Sequence, residues 1–233
     1  MTLRKKTLLI VGLTLVGLIA LLHVTSSIIL LGSFANLEEQ ATRRNVQRAQ
    51  SALSDTLSTL NATAGDWGPW DDTYAFIQGA NDEYIKSNLS DSTFANLRLN
   101  LMLFVRPSGQ MVYAKAFDLE GGQEVPVPQS LPAYLTDDSL LVHHTDLQSG
   151  AVGIVLLPEG PLLVASHPIL TSDHQGPIRG ALIMGRYLDA AEIKRLADIT
   201  HLSLTAYQLD AAQLPPDFQA ARSSLSEEAP ILV

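Results

Sequence analysis

Apolar residues fall along this chain in three successive patterns: an unbroken run, a helical stripe, and then short runs set between turn residues. The run covers residues 7–32, TLLIVGLTLVGLIALLHVTSSIILLG, without one Asp, Glu, Lys or Arg, and Arg4, Lys5 and Lys6 precede it. About 20 apolar residues carry a helix across a bilayer, so the run predicts a membrane span with slack for tilt. A cleavable leader has an apolar core of about 7–15 residues and a small-x-small cleavage site. This run is longer and no Ala-x-Ala site follows it, so it reads as an uncleaved anchor. Short flanks rich in Lys and Arg stay in the cytoplasm, which puts residues 1–6 inside the cell and the chain from about Ser33 onward outside.

From residue 34 to about residue 64 there is no Gly or Pro, and Val46, Ala49, Leu53, Leu57 and Leu60 recur at spacings of 3, 4, 4 and 3. That is one stripe of a helix continuous with the span, with Arg43, Arg44, Gln47, Arg48 and Asp55 on other faces. The stripe can pack on its own domain, form the seam of a homodimer through the 34–64 helix, or do both on different turns. Ala41, Ala49 and Ala52 permit close helix approach. A junction at Gly65 follows, then an aromatic segment and a polar stretch over residues 80–97. Strands are predicted at 99–105 and 111–117, joined by Pro107-Ser108-Gly109 as a hairpin. A loop rich in Gly and Pro (118–132) and one or two short helices (133–146) come next. Further strands are predicted at 151–157, 161–170 and 178–188, the first two joined by Pro158-Glu159-Gly160 and the third reached through loop 171–177. Asp189 is a natural N-cap for a helix at 190–199. Residues 202–209 form another strand candidate, and Pro215-Pro216 opens a weakly patterned tail.

Two strands, helices and three more strands make an antiparallel sheet with segregated helices, an α+β layout. Led by a long helix continuous with a span, it has the order expected of PAS-like extracellular sensor domains. The expected divisions are a basic flank at 1–6, a transmembrane helix at 7–32, a membrane-proximal helix at 33–64 and an extracytoplasmic domain at 65–233. The last seven residues, EEAPILV, read as entry into a strand, so the expectation is a domain truncated at its C-terminus. Charge sharpens the picture. The chain has 15 basic and 24 acidic residues, a net charge of −9, and without the three basic residues of the N-terminal flank the exported part carries about −12. That opposes a nucleic-acid role and docking on anionic lipid. With no cysteine there is no disulfide, thiolate metal site or Cys nucleophile.

The segment Asp66-Trp67-Gly68-Pro69-Trp70-Asp71-Asp72-Thr73-Tyr74-Ala75-Phe76-Ile77-Gln78-Gly79 holds both tryptophans of the chain. With Asp66 as N-cap and a helix starting at Trp67, Pro69 falls in the first turn, where it is tolerated. At about 100° per residue, Trp67, Trp70, Tyr74 and Ile77 then share a face, Asp71 lies about 40° from Trp67, and Asp72 and Phe76 point the other way. A carboxylate against aromatic rings loses hydration and needs a hydrogen bond or a cation in return. Two readings stay open. The face packs under the sheet, with Asp71 accepting backbone N–H groups or pairing with Arg98 or Arg186; or it walls a pocket that receives a cationic or polar ligand.

Asp66-Trp67-x-x-Trp70-Asp71-Asp72-Thr73-Tyr74-x-Phe76 resembles the signature of the type-four CHASE domain, a Cache/PAS-like extracellular sensory module of bacterial and archaeal receptors. The similarity continues through Tyr84-Ile85, Asn88-Leu89, Asn100-Leu101-Met102-x-Phe104, Gly109, Leu157-Pro158-x-Gly160-Pro161, Pro168-Ile169-Leu170, Gly176-Pro177, Gly180 and Gly185-Arg186, over roughly residues 37–208. The resemblance implies a sensor half. In such receptors a further strand pair, a second span and a cytoplasmic output module follow, either a histidine kinase or a diguanylate cyclase, often behind HAMP or PAS segments. Residues Trp67, Trp70, Asp71, Tyr74, Asn100, Met102, Tyr113 and Arg186 are the candidates for a ligand pocket or a structural motif. The expected partners are an unidentified small solute, the membrane and a second copy of the chain.

No cofactor or metal site is expected. The six histidines, at 23, 143, 144, 167, 174 and 201, lack metal-ligand spacing, and His143-His144 reads as a solvated pair. His23 lies in the span near its outer end. No phosphate-cradling Gly-rich loop, Gly-x-Ser-x-Gly or Ser/His/Asp set stands out. Two function classes remain: receptor input at the cell (inner) membrane, or a membrane-anchored extracytoplasmic enzyme or scaffold. The unbroken helix favours the receptor, and no catalytic activity is assigned to this chain.

Overall fold

The computed structural model describes residues 3–209 and 213–226; the expected strand entry at 227–233 lies outside them. Two units divide the chain, one comprising Ala49–Ala206 and the other Met1–Arg48 with Tyr207–Val233. Helix α1 runs over Leu3–Trp67 without interruption. Its Leu3–Ser27 portion is long and apolar enough to cross a membrane, and leucines such as Leu8, Leu13 and Leu21 lie exposed there. In the tail, residues 202–209 alternate as a strand would but pair with no strand among the described residues. Instead Pro215-Pro216 starts helix α6 (Pro216–Ser224), and Phe218 meets Tyr207 edge-on at 4.6 Å.

In the Ala49–Ala206 unit, the aromatic segment and the polar stretch after it fold into short helices. They are α2 (Asp71–Phe76), α3 (Asp82–Asn88) and α4 (Asp91–Leu97), and Asn81 caps α3 through Oδ1 with the Tyr84 N–H. The strands are β1 (Leu101–Val105), β2 (Met111–Asp118), β3 (Gln123–Val125), β4 (Ala151–Leu157), β5 (Gly160–Pro168) and β6 (Ala181–Tyr187). They form one antiparallel sheet in the order β3-β2-β1-β6-β5-β4. The five expected strands are present. β3 is additional, a three-residue edge within the expected loop. Between β3 and β4 the expected helices reduce to a 3-10 turn at Leu131–Tyr134 and a series of turns. The β1–β2 turn closes through Gly109, whose φ of 78° needs a residue without a Cβ; one there would also collide with the Leu135 carbonyl.

Alternation along the strands makes two cores. On one face Met102, Phe104, Phe117, Leu163, Leu182 and Met184 meet Leu60 and Ala64 of α1 and Phe76, Tyr84 and Phe94 of the short helices. On the other, Leu101, Leu103, Val105, Leu162, Val164 and Ile183 are covered by Leu131, Leu135 and Val142 of the β3–β4 connection. The stripe on α1 therefore packs on its own domain from Leu53 to Leu60. Helix α5 (Ala190–Thr200) follows β6 with Asp189 as its cap, accepting the Glu192 N–H at 2.8 Å.

Phe76 is the hub of the first core. It stacks on Tyr84 at 4.4 Å and meets Phe104 and Tyr113 edge-on at 4.9 and 5.8 Å. Its placement corrects the expectation that it points away from the packed face. Phe76→Ala should lower stability by about 3–5 kcal/mol, read as a lowered melting temperature against the parent chain. A melting point unchanged from the parent would contradict this packing.

Candidate functional site

Pro69 ends α1 rather than starting a helix. The residue before a proline is disfavoured in helical conformation, so α1 stops at Trp67 and α2 begins at Asp71 with Trp70 as an extended cap residue. The expected N-cap at Asp66 and junction at Gly65 are thus corrected: both lie within α1. Gly65 serves close approach instead, because a Cβ there would stand 3.2 Å from the His167 ring. Gly68 passes so near β5 that a Cβ would meet the Pro168 carbonyl at 2.9 Å, and its own carbonyl accepts the Leu170 N–H.

Around this elbow the tryptophans stack, Trp67 on Trp70 at 4.9 Å. Asp71 is exposed, not desolvated. It clasps Ser172 from both sides: its Oδ1 accepts the Ser172 N–H at 3.0 Å and its own N–H donates to Ser172 Oγ at 3.0 Å. Arg179 donates from Nε to the Tyr74 hydroxyl at 3.0 Å and lies over that ring. Asp71 thus accepts a backbone N–H, one of the partners expected for it, and neither Arg98 nor Arg186 reaches it. The motif is an α1–α2 elbow pinned to the β5–β6 connection. Beneath it Thr73 and Tyr84 share a buried hydroxyl bond of 2.7 Å, and burial pushes the Tyr84 phenol up to about 12 against the opposing pull of Thr73.

The remaining candidates lie elsewhere. Met102 is sealed in the first core and Tyr113 leans on Phe76. Asn100 and Arg186 come together at the end of the central strands, in a cleft of about 300 Å³ also lined by Arg98, Asp118, Glu120, Asp189 and Glu192. Asn100 ties three strands there, donating Nδ2 to the Phe117 carbonyl at 3.1 Å and accepting the Tyr187 N–H at 2.9 Å. Arg186 donates to the carbonyls of Arg98 and Leu97 at 2.6 and 3.0 Å, the last carbonyls of α4. Glu192, 3% exposed, faces three guanidinium groups: Arg195 at 2.5 Å, Arg98 at 3.3 Å and Arg186 at 3.7 Å. Arg195 also donates to Thr56 Oγ1 on α1 at 2.8 Å. The signals for this cluster were Arg186, a lone charge in an apolar strand, and the Glu192/Arg195 pair one turn apart just inside a capped helix.

A third polar group joins α1 to the end of β5. His167 Nε2 lies 2.9 Å from Asn61 Oδ1, and His144 bridges Ser149 and Ser166 at 3.0 Å each. His144 thus turns inward, against the expectation of a solvated pair. Among the described residues no three His, Cys, Asp or Glu side chains converge for a metal.

Residues 52–207, which take in the elbow, the cleft and both histidines, match the CHASE4 domain. The chain belongs to the CHASE4 domain family. Over 204 residues this CHASE4 protein is 37% identical to the methanogenesis regulatory histidine kinase FilI of Methanothrix harundinacea (strain 6Ac), covering 88% of its own length and 23% of that relative's. Among solved structures, the domain of a sensory box/GGDEF family protein from Vibrio parahaemolyticus aligns with a TM-score of 0.46 at 12% identity, over 68% of this chain and 62% of that one. The sensor domain of the V. cholerae histidine kinase DctB aligns with a TM-score of 0.47 at 10% identity, over 68% and 58%.

Protonation links the two buried networks of the CHASE4 domain to its stability. Burial raises the Glu192 carboxyl, but the Arg195 hydrogen bonds and the charges of Arg195 and Arg186, with Arg98, outweigh it and hold it below the ordinary 4.5. Its contribution is therefore full above about pH 4.5 and lost as pH falls through the folded value. Burial first, then His167 and His143, take His144 from 6.5 to about 4. His167 is also lowered, burial outweighing the Asn61 bond. Both histidines are neutral in the fold, so falling pH favours the unfolded chain from about 6.5 downward. Acid denaturation should start near pH 6.5 and steepen below 4.5. His144→Gln should flatten the upper stage. Glu192→Gln should cost about 3–5 kcal/mol at pH 7, by leaving a buried guanidinium uncompensated, and abolish the lower stage. Urea titrations across pH 3–8 check both; a His144→Gln slope equal to the parent's would refute the assignment.

Proposed function

We propose that this chain is the extracytoplasmic input part of a transmembrane receptor, anchored at the cell membrane by the apolar start of α1 with its basic flank in the cytoplasm. The observation that carries the reading is that the CHASE4 match begins inside α1 itself, a helix without a break from Leu3 to Trp67. A tether alone has no need of a stiff helix. The identity to a histidine kinase over the same region supports a histidine kinase as the output module, in a part of the receptor beyond this chain. The chain itself, on this reading, carries no catalysis.

Two copies pair along residues 34–64, and a small solute or partner bound outside shifts the position of α1 by a small piston or rotation. Ligand biases such a two-state element only by its differential affinity. About 100-fold preference for one state is about 2.7 kcal/mol.

Inserting Gly-Gly-Ser-Gly between Ser33 and Phe34 should leave the exported domain folded while uncoupling the output. The measurement is stimulus-dependent autophosphorylation of the receptor that carries this chain. A response of normal amplitude after the insertion would refute rigid helical transmission. Reporter fusions at about residue 40 and about residue 200 should both score as exported; a cytoplasmic score at either would overturn the topology.

A further inference from the structure

Three guanidinium groups converge on the single carboxylate of Glu192 at the floor of the cleft. Their standing differs. Arg186, 8% exposed, is committed to the α4 carbonyls. Arg195 saturates Glu192, with Nε on both carboxylate oxygens at 3.0 Å. Arg98 is 49% exposed and holds Glu192 through one long bond of 3.3 Å. Its backbone is pinned in the left-handed region at the end of α4, with φ at 55°, so the side chain projects from a fixed point. The floor is thus one carboxylate short, and Arg98 can change partner at little cost to Glu192. Crowding among the three guanidiniums acts the same way: burial, and then the charges of Arg98 and Arg195, lower Arg186 against the pull of Glu192. An added anion relieves that repulsion.

The rim has the opposite sign, being formed by Asp118, Glu120 and Asp189. These carboxylates do not gather into a metal-binding set, and they repel a plain anion seeking Arg98. The positive floor repels a plain cation drawn to the rim. A volume of about 300 Å³ lies at the small end of ligand pockets, which suits a small solute.

We propose that this cleft, between α4, the ends of β1 and β6, and α5, binds a small zwitterion, with its carboxylate on Arg98 and its ammonium among Asp118, Glu120 and Asp189. The proposal deepens the sensory reading and rests on it for its purpose. Occupancy draws Arg98 off Glu192 and leaves that carboxylate to Arg186 and to Arg195, which also holds Thr56 of α1. Ligand is then felt on the helix through one guanidinium.

The test is calorimetric titration of the 233-residue chain in phosphatidylcholine nanodiscs with glycine, β-alanine, γ-aminobutyrate and glycine betaine, against propionate and propylamine. At least one zwitterion should bind ten-fold or more tighter than both single-charge controls. Arg98→Ala should weaken that zwitterion at least ten-fold with a melting temperature close to the parent's, and Arg98→Lys should restore part of the affinity. Failure of all four zwitterions to bind with Kd below about 10 mM overturns the proposal. So does binding that Arg98→Ala leaves unchanged, or equal binding of propionate. If no zwitterion binds while the Gly-Gly-Ser-Gly insertion still uncouples the receptor, the site falls and the sensory reading stands. If a zwitterion binds at Arg98 and the insertion changes nothing, helical transmission falls and the site stands.

Discussion

Every position of β1 is buried, and so are six of the seven in β6. Successive side chains of a strand point to opposite faces, so these two central strands oblige the chain to cover the sheet twice. Antiparallel hairpins by themselves cover neither face. The layer before β1, from α1 to α4, supplies one cover, and the long excursion between β3 and β4 supplies the other. Element order follows from this demand: helices first, then a strand pair, an excursion and three closing strands.

Double burial also decides where polar chemistry can stand. Within β1 there is no room for it, so much of it collects where the central strands end and at the end of β5. Asn100 opens β1 and Arg186 sits one residue from the end of β6. A guanidinium buried there has to be matched by acceptors, and the last carbonyls of α4 and the Glu192 carboxylate supply them. The same logic seats His144 between two serines and His167 on Asn61. The elbow at Trp67–Asp71 differs in kind. Its polar groups are exposed and its bonds run to the backbone of the β5–β6 connection, so it positions a chain crossing and not a charge.

Strand positions were legible in the sequence because continuous apolar runs between Gly and Pro turns admit few alternatives; β1, β2, β4, β5 and β6 all lie inside their expected ranges or within a residue of them. β3 was not legible, because Gln123-Glu124-Val125 is polar and pairs only at an edge. Residues 202–209 alternate but pair with no strand among the described residues, and alternation makes a strand only where a partner pairs with it. At the motif, the error lay in giving Pro69 to the first turn of a helix when its constraint on Gly68 ends the preceding one. That single shift separates Trp67 from α2 and turns Phe76 inward. The eight candidate residues are thereby divided among elbow, core and cleft. No local pattern foretells that Asn100 and Arg186 share a cleft with Asp118 and Glu192, because register and the α5 turn bring them together.

Along α1 the buried Leu60 and Ala64 form a narrow apolar strip, and the hydrogen bonds to Arg195 and His167 leave from Thr56 and Asn61. Five residues rotate a helix by about 140°, which places those two groups on opposite flanks of the strip. The helix is therefore held by apolar contact along its centre line and by one directional bond on each side. Sliding across an apolar strip loses little at small amplitude, because dispersion and area vary smoothly, whereas a hydrogen bond weakens steeply with angle. Rotation of α1 opens one flank while pressing the other, and axial movement strains both. Rotation or axial movement of α1 therefore bears on the Arg195–Glu192 pair and on the His167 contact, two points at which described residues of α1 meet groups that respond to charge.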